Sequence, residues 1–142
     1  MTGFVSGQTL EELYSNAFLY VLPSDVEGLP ISLLEAMSYK RCCLVSDIKE
    51  NATTGQGYVF EFLHGNVISL REQLKMIDAM NPADVEQKGV EAADYVLDAY
   101  RWEAVVDKTL AVYKKVYRDI RQEEADTALA LSKERLAITD YP

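Results

Sequence analysis

Three short apolar runs, at residues 18–22, 42–45 and 58–62, constrain this chain more than any other feature, because the first two bracket a stretch of helical period. Each run is rich in β-branched, aromatic or cysteine residues and reads as a strand buried on both faces, the form taken in parallel sheets. Between the first two, residues 30–40 carry Ile31, Leu34 and Met37 at helical spacing behind Pro30, a residue favoured at the first helical position. Strand, loop, helix and strand in that order predict an α/β domain with a parallel, right-handed sheet, in which ligands bind at the carboxyl ends of the strands.

The flanks extend the pattern. A helix over 10–16 is expected, opened by Thr9 with Glu12 three residues later as a capping box, and Phe4 and Val5 read as the remnant of an earlier strand. Downstream, Val67, Leu70, Leu74 and Ile77 form one stripe that breaks at Asn81-Pro82. Val85, Ala92, Ala93 and Val96 continue in a second helix to about Tyr100, and Trp102, Val105, Val106, Tyr113, Val116 and Ile120 line a third. Residues 1–120 are expected to be the folded domain and 121–142 a helical extension or tail. Three or four strands make a thin sheet, and Met1-Thr2-Gly3 gives almost no lead-in, so a piece of a larger domain is expected, with a bare edge that association between copies would cover.

Charge and composition exclude several functions. Fourteen Lys and Arg stand against 23 Asp and Glu, a net charge of −9, with no basic cluster. Nucleic acid and anionic membrane are poor partners for such a surface. No apolar run reaches membrane-spanning length, and a soluble, intracellular protein is expected. Cys42 and Cys43 are adjacent, so they neither build a disulfide framework nor offer metal-ligand spacing; no metal and no cofactor is expected. Asp25 and Asp47 near strand ends invite comparison with a phospho-accepting receiver domain, but no lysine stands where that fold needs one. His64, the lone histidine, precedes Gly65 in a turn and reads as surface structure.

The chemistry-bearing segment is Pro23-Ser24-Asp25-Val26-Glu27-Gly28-Leu29-Pro30 and the helix start Ile31-Ser32-Leu33-Leu34-Glu35-Ala36-Met37. With Pro30 first in the helix, the cap position falls on Leu29, which has no side-chain acceptor. The amides of Ile31, Ser32 and Leu33 and the positive end of the helix dipole are then free for a phosphate. Gly28 permits close approach of a ligand to the backbone. Glu35 lies one turn further, and helical side chains lean back toward the N-terminus, so its carboxylate reaches the same region. Since it would repel a phosphate, it is expected on a neutral polyol such as the vicinal hydroxyls of a ribose. Spacing alone leaves the plain alternative open, in which one glutamate favours the dipole and the other is solvated.

These residues resemble a known signature. Glu27 and Glu35 with Ala36-Met37, set in Leu22-Pro23-Ser24, Glu27-Gly28-Leu29-Pro30 and Leu34-Glu35-Ala36-Met37, look like the paired-glutamate motif of group 1 (family 4) retaining glycosyltransferases of the GT-B type. Phe4-Val5-Ser6-Gly7, Leu44-Val45-Ser46-Asp47-Ile48, Gly57-Tyr58-Val59-Phe60 and Tyr100-Arg101-Trp102 extend the resemblance over about residues 4–118. It implies a Rossmann-like sheet with flanking helices, the distal part of a GT-B C-terminal domain, ending in a long helix.

The resemblance further implies a donor site of Glu27, Gly28, Leu29, Ile31, Ser32 and Glu35. Glu35 binds the nucleotide ribose, Glu27 meets the donor sugar near the transferring carbon as the catalytic residue, and the four intervening amides cradle sugar and diphosphate. No protein nucleophile is assigned, because the leaving diphosphate helps to deprotonate the acceptor. The donor is a nucleotide-diphosphosugar, a UDP- or GDP-sugar, and the acceptor an unspecified glycan, lipid or small molecule. Polysaccharide synthesis in the cytoplasm is the expected setting, with any peripheral membrane attachment supplied elsewhere in the full-length enzyme. The family's diphosphate-neutralising Arg and Lys, and its acceptor-binding N-terminal domain, lie upstream of the matched positions, so these residues alone should bind donor weakly and turn over nothing. The competing expectation is a non-catalytic α/β binding or self-assembly module derived from the same fold.

Overall fold

Alternation of strand and helix periods is realised in a computed structural model that describes residues 2–139. The chain divides into two compact units, Met1–Ala99 and Tyr100–Pro142. In the first, strands β1 (Leu19–Leu22), β2 (Cys42–Ser46) and β3 (Phe60–Phe62) form a parallel sheet in the order β1-β2-β3, with Leu19 opposite Cys42 and Leu44 opposite Phe60. Around it lie α1 (Gln8–Asn16), α2 (Ile31–Ser38), α3 (Lys49–Gly55), α4 (Val67–Asp78) and α5 (Pro82–Ala99). The expected mixed α/β architecture with a parallel sheet is therefore present.

Strand β2 carries the core. Its five residues are all buried, and alternation sends Cys43 and Val45 to one face and Cys42 and Leu44 to the other. On the first face they meet Leu33, Ala36 and Met37 of α2 and Ala92 and Val96 of α5; on the second they meet Phe62, Ile77 of α4 and Val85. Each fully buried aliphatic side chain contributes roughly 1.5–3 kcal/mol, so the position of α2 is set by this burial rather than by its eight residues of helix propensity. Gly89 lets α5 close on the turn after α2: a Cβ there would stand 2.2 Å from the Lys40 carbonyl oxygen.

Several sequence expectations are corrected. Helix α1 begins a residue before Thr9, its N-cap is Gly7 at φ 59°, and no side-chain capping bond forms, so the Thr9–Glu12 capping box is absent. Phe4 and Val5 belong to no strand, and Phe4 is almost fully exposed. Helix α2 starts at Ile31 with Pro30 in the cap position, one residue later than the proline rule placed it. Helix α3, which has no apolar stripe and only a short span, was not signalled by periodicity at all.

The second unit is a single helix, α6 (Trp102–Thr139). Its sequence is rich in Ala, Lys, Arg and Glu, strong helix formers, and turn-spaced contacts such as Gln122 to Asp126 and Arg121 to Tyr117 add local support. Helix continues through the stretch read as extension or tail as far as Thr139; residues 140–142 lie outside the described residues.

Candidate functional site

The loop from β1 to α2 carries Glu27 just ahead of the helix, and Glu35 follows in the second turn of α2. Pro30 has no side-chain acceptor, and no side chain caps the helix. Of the donors at its start, the Ile31 amide is spent on the Leu29 carbonyl at 2.8 Å and the Leu33 amide on the Pro30 carbonyl at 3.0 Å. The amides of Gly28, Leu29 and Ser32 find no acceptor among the described residues. Gly28 and Leu29 are exposed and Ser32 half-buried, so a ligand has access to these donors and to the positive end of the helix dipole. Of the three amides that the capping argument left free, Ser32 alone is so here: Ile31 is engaged in a tight turn and Leu33 in the first helical turn.

Glu27, half-buried, accepts from the Ser24 hydroxyl at 2.5 Å. Ser24 is in turn rooted in the sheet, because the Ser46 hydroxyl at the end of β2 donates to the Ser24 carbonyl at 2.6 Å. Asn51, fully buried on α3, donates its Nδ2 to the Ser46 carbonyl and hydroxyl at 3.2 and 3.1 Å. A polar chain from α3 through β2 to the loop therefore fixes Glu27, and burial strengthens each of its links. Asn51 Oδ1 is buried and has no partner among the described residues.

Glu35 is held differently. Its carboxylate is exposed, and Oε2 accepts from the Tyr14 phenol of α1 at 3.2 Å. One turn back along α2, the Tyr20 phenol of β1 donates to the Ser32 hydroxyl at 2.8 Å. Burial pushes the phenols of both tyrosines up from their ordinary range, and for Tyr14 the neighbouring Tyr20 and Glu35 push the same way. Neither tyrosine was singled out from the sequence. The available signal was Tyr14 four residues after Leu10, on the inner stripe of a helix with no fully buried residue of its own.

His64, read from the sequence as surface structure, joins two other strand ends. Its Nε2 lies 2.8 Å from Asp25 Oδ1, and its amide donates to Asp47 Oδ1 at 2.7 Å. With Asp25 87% exposed, this pair contributes no more than about 1 kcal/mol, but it ties the tip of the Glu27 loop to the turn after β3. Cys42 and Cys43 are buried; burial pushes the Cys42 thiol up to about 11, against a smaller pull from Lys88, and raises Cys43 as well, so neither offers a nucleophile. Among the described residues no group of three His, Cys, Asp or Glu could hold a metal ion, and no helix is long and apolar enough to cross a membrane.

Residues 1–75, just over half of the 142, match the family described as glycosyl transferases group 1. No curated protein matches the chain significantly. Among solved structures, a sucrose-phosphate synthase from Thermosynechococcus elongatus is similar over 82% of this chain and 29% of its own, at a TM-score of 0.73 and 21% identity. The structure titled TarM is similar over 75% of this chain and 22% of its own, at a TM-score of 0.66 and 22% identity. At these identities the likeness is one of fold, and the chain spans less than a third of either protein.

Proposed function

Because the chain belongs to the group 1 glycosyltransferases, we propose that it is the donor-binding portion of an enzyme that moves a sugar from a nucleotide-diphosphosugar to an acceptor with retention of configuration. The observation that carries this reading is the pair Glu27 and Glu35 set on either side of the uncapped start of α2, with the Gly28, Leu29 and Ser32 amides unengaged. Glu35 accepts hydrogen bonds from the ribose hydroxyls, and Glu27 accepts from the donor sugar near the transferring carbon. The Gly28, Leu29 and Ser32 amides and the helix dipole meet the diphosphate; the Ile31 amide joins them only if it exchanges the Leu29 carbonyl for the ligand.

In this reaction the acceptor hydroxyl oxygen bonds to the anomeric carbon as the bond from that carbon to the leaving phosphate breaks, and the hydroxyl proton passes to a phosphate oxygen. Glu27 orients the sugar and favours the positive charge that develops on its ring; no protein nucleophile is involved. A cytoplasmic UDP- or GDP-sugar supplies the donor. Calorimetric titration of UDP, GDP and their sugar conjugates, with Glu35→Ala as control, tests the reading. Saturable binding lost in the variant supports it; indifference to every nucleotide sugar supports a non-catalytic α/β module.

A further inference from the structure

We propose that Tyr14 is the positioning residue of Glu35, fixing the carboxylate that takes the nucleotide ribose; the inference rests on that reading of Glu35. An exposed glutamate has rotatable bonds whose ordering opposes ligand binding unless the protein has already restricted them. Here Oε2 is already engaged by the Tyr14 phenol at 3.2 Å, while Oε1 has no partner among the described residues. One carboxylate oxygen is held by the protein and the other is left for hydroxyl donors.

The holder is itself held. The Tyr14 ring stacks on Tyr39 with centroids 5.4 Å apart and planes 20° apart, and meets Tyr20 at 6.0 Å in a tilted arrangement. The Ser32 carbonyl oxygen, at the turn of α2 whose amide is free, is a second and longer acceptor for the same phenol proton, at 3.4 Å against 3.2 Å to Glu35. Tyr14 comes from α1, Tyr20 from β1 and Tyr39 from the residue after α2, so three segments meet in one cluster of rings. Within the same cluster the Tyr20 phenol donates to the Ser32 hydroxyl at 2.8 Å. Burial keeps the proton on the Tyr14 phenol well above neutral pH, so it remains a donor.

The test compares Kd values for UDP and 2′-deoxy-UDP, and for GDP and 2′-deoxy-GDP, in the wild-type chain, Tyr14→Phe and Glu35→Gln. Thermal unfolding of each variant confirms that it is folded. Loss of a hydrogen bond to a charged group corresponds to about a tenfold preference for the ribonucleotide in the wild type. Tyr14→Phe retains the ring and its stacking but removes the donor, and the preference should fall to about threefold or less by the same conversion. A merely structural role for Tyr14 would weaken ribo and deoxyribo binding alike and leave the ratio unmoved. An unchanged ratio in Tyr14→Phe overturns the inference while leaving Glu35 on the ribose. A wild-type chain that shows no ribose preference, or binds neither nucleotide, overturns the reading of Glu35 and this inference with it.

Discussion

Glu27 and Glu35 lie on one loop and helix, eight positions apart, yet different parts of the molecule hold them. Glu27 is fixed by hydroxyls and an amide, in a chain from Ser24 through Ser46 to the buried Asn51. Glu35 is fixed by one phenol inside a cluster of aromatic rings. Polar links buried at a strand end are directional and costly to leave half-made, whereas an aromatic clamp tolerates loss of its hydroxyl and keeps its shape. The loop side is therefore expected to fail through stability and the helix side through ligand discrimination.

The strongest way to break the comparison is to remove the seat that both sides share. Gly89→Ala drives a Cβ into the Lys40 carbonyl at 2.2 Å, with backbone that cannot swing aside. A loss of ~3 kcal/mol is expected from overpacking of this kind, read as a drop in thermal midpoint; an unchanged midpoint would show that α5 is not tightly seated. Next comes the ligand side itself. Glu35→Ala should weaken nucleotide binding by ~1.5–3 kcal/mol, while Glu27→Ala should leave UDP and GDP binding in place and remove only the added affinity of the sugar conjugate. Equal losses of bare nucleotide in both variants would merge the two roles.

Ser46→Ala separates the two sides by stability. It strips the Ser24 carbonyl of its donor and Asn51 of one acceptor, and should cost ~1–2 kcal/mol in chemical denaturation without altering ribose preference. The cysteines give a smaller, pH-dependent effect. Because burial raises the Cys42 thiol to about 11, the folded state holds that proton more tightly than the unfolded chain. Its contribution is whole below the ordinary thiol range and fades as pH climbs through it toward about 11, so denaturation midpoints should decline over that window and Cys42→Ser should flatten the decline. The least effect is expected from Pro30→Ala. That position lends no N–H to a ligand, so nucleotide affinity should change by less than about twofold; a larger loss would mean that the proline sets the path of the loop.

The sheet was legible because burial on both faces leaves a signal that needs no partner to be seen: residues 42–45 read as a strand and all lie in the core. The start of α2 was legible to within one residue, since a proline and an apolar period mark a helix start locally, while its end at Ser38 falls two residues short of the expected one. Less was legible where the backbone path of a turn decides what an amide meets. Ile31 was expected to offer its amide, but the Leu29 carbonyl two residues away takes it. Thr9 and Glu12 carry the capping-box pattern, yet Gly7 with its positive φ lets the helix begin earlier and leaves the box unused.

What the sequence determined by itself was periodicity, charge and the placement of two glutamates around an uncapped helix start, because each depends on neighbours along the chain. Tertiary structure alone decided which groups complete the site. Tyr14 is 21 positions from Glu35 and Ser46 is 22 from Ser24. Asp25 is 39 from His64. Spacing in a sequence reports what a helix or strand repeats, and nothing in it reports which strand end or helix face will close on another. That is settled only when the β2 core packs α2, α4 and α5 and brings those hydroxyls and carboxylates within hydrogen-bonding distance.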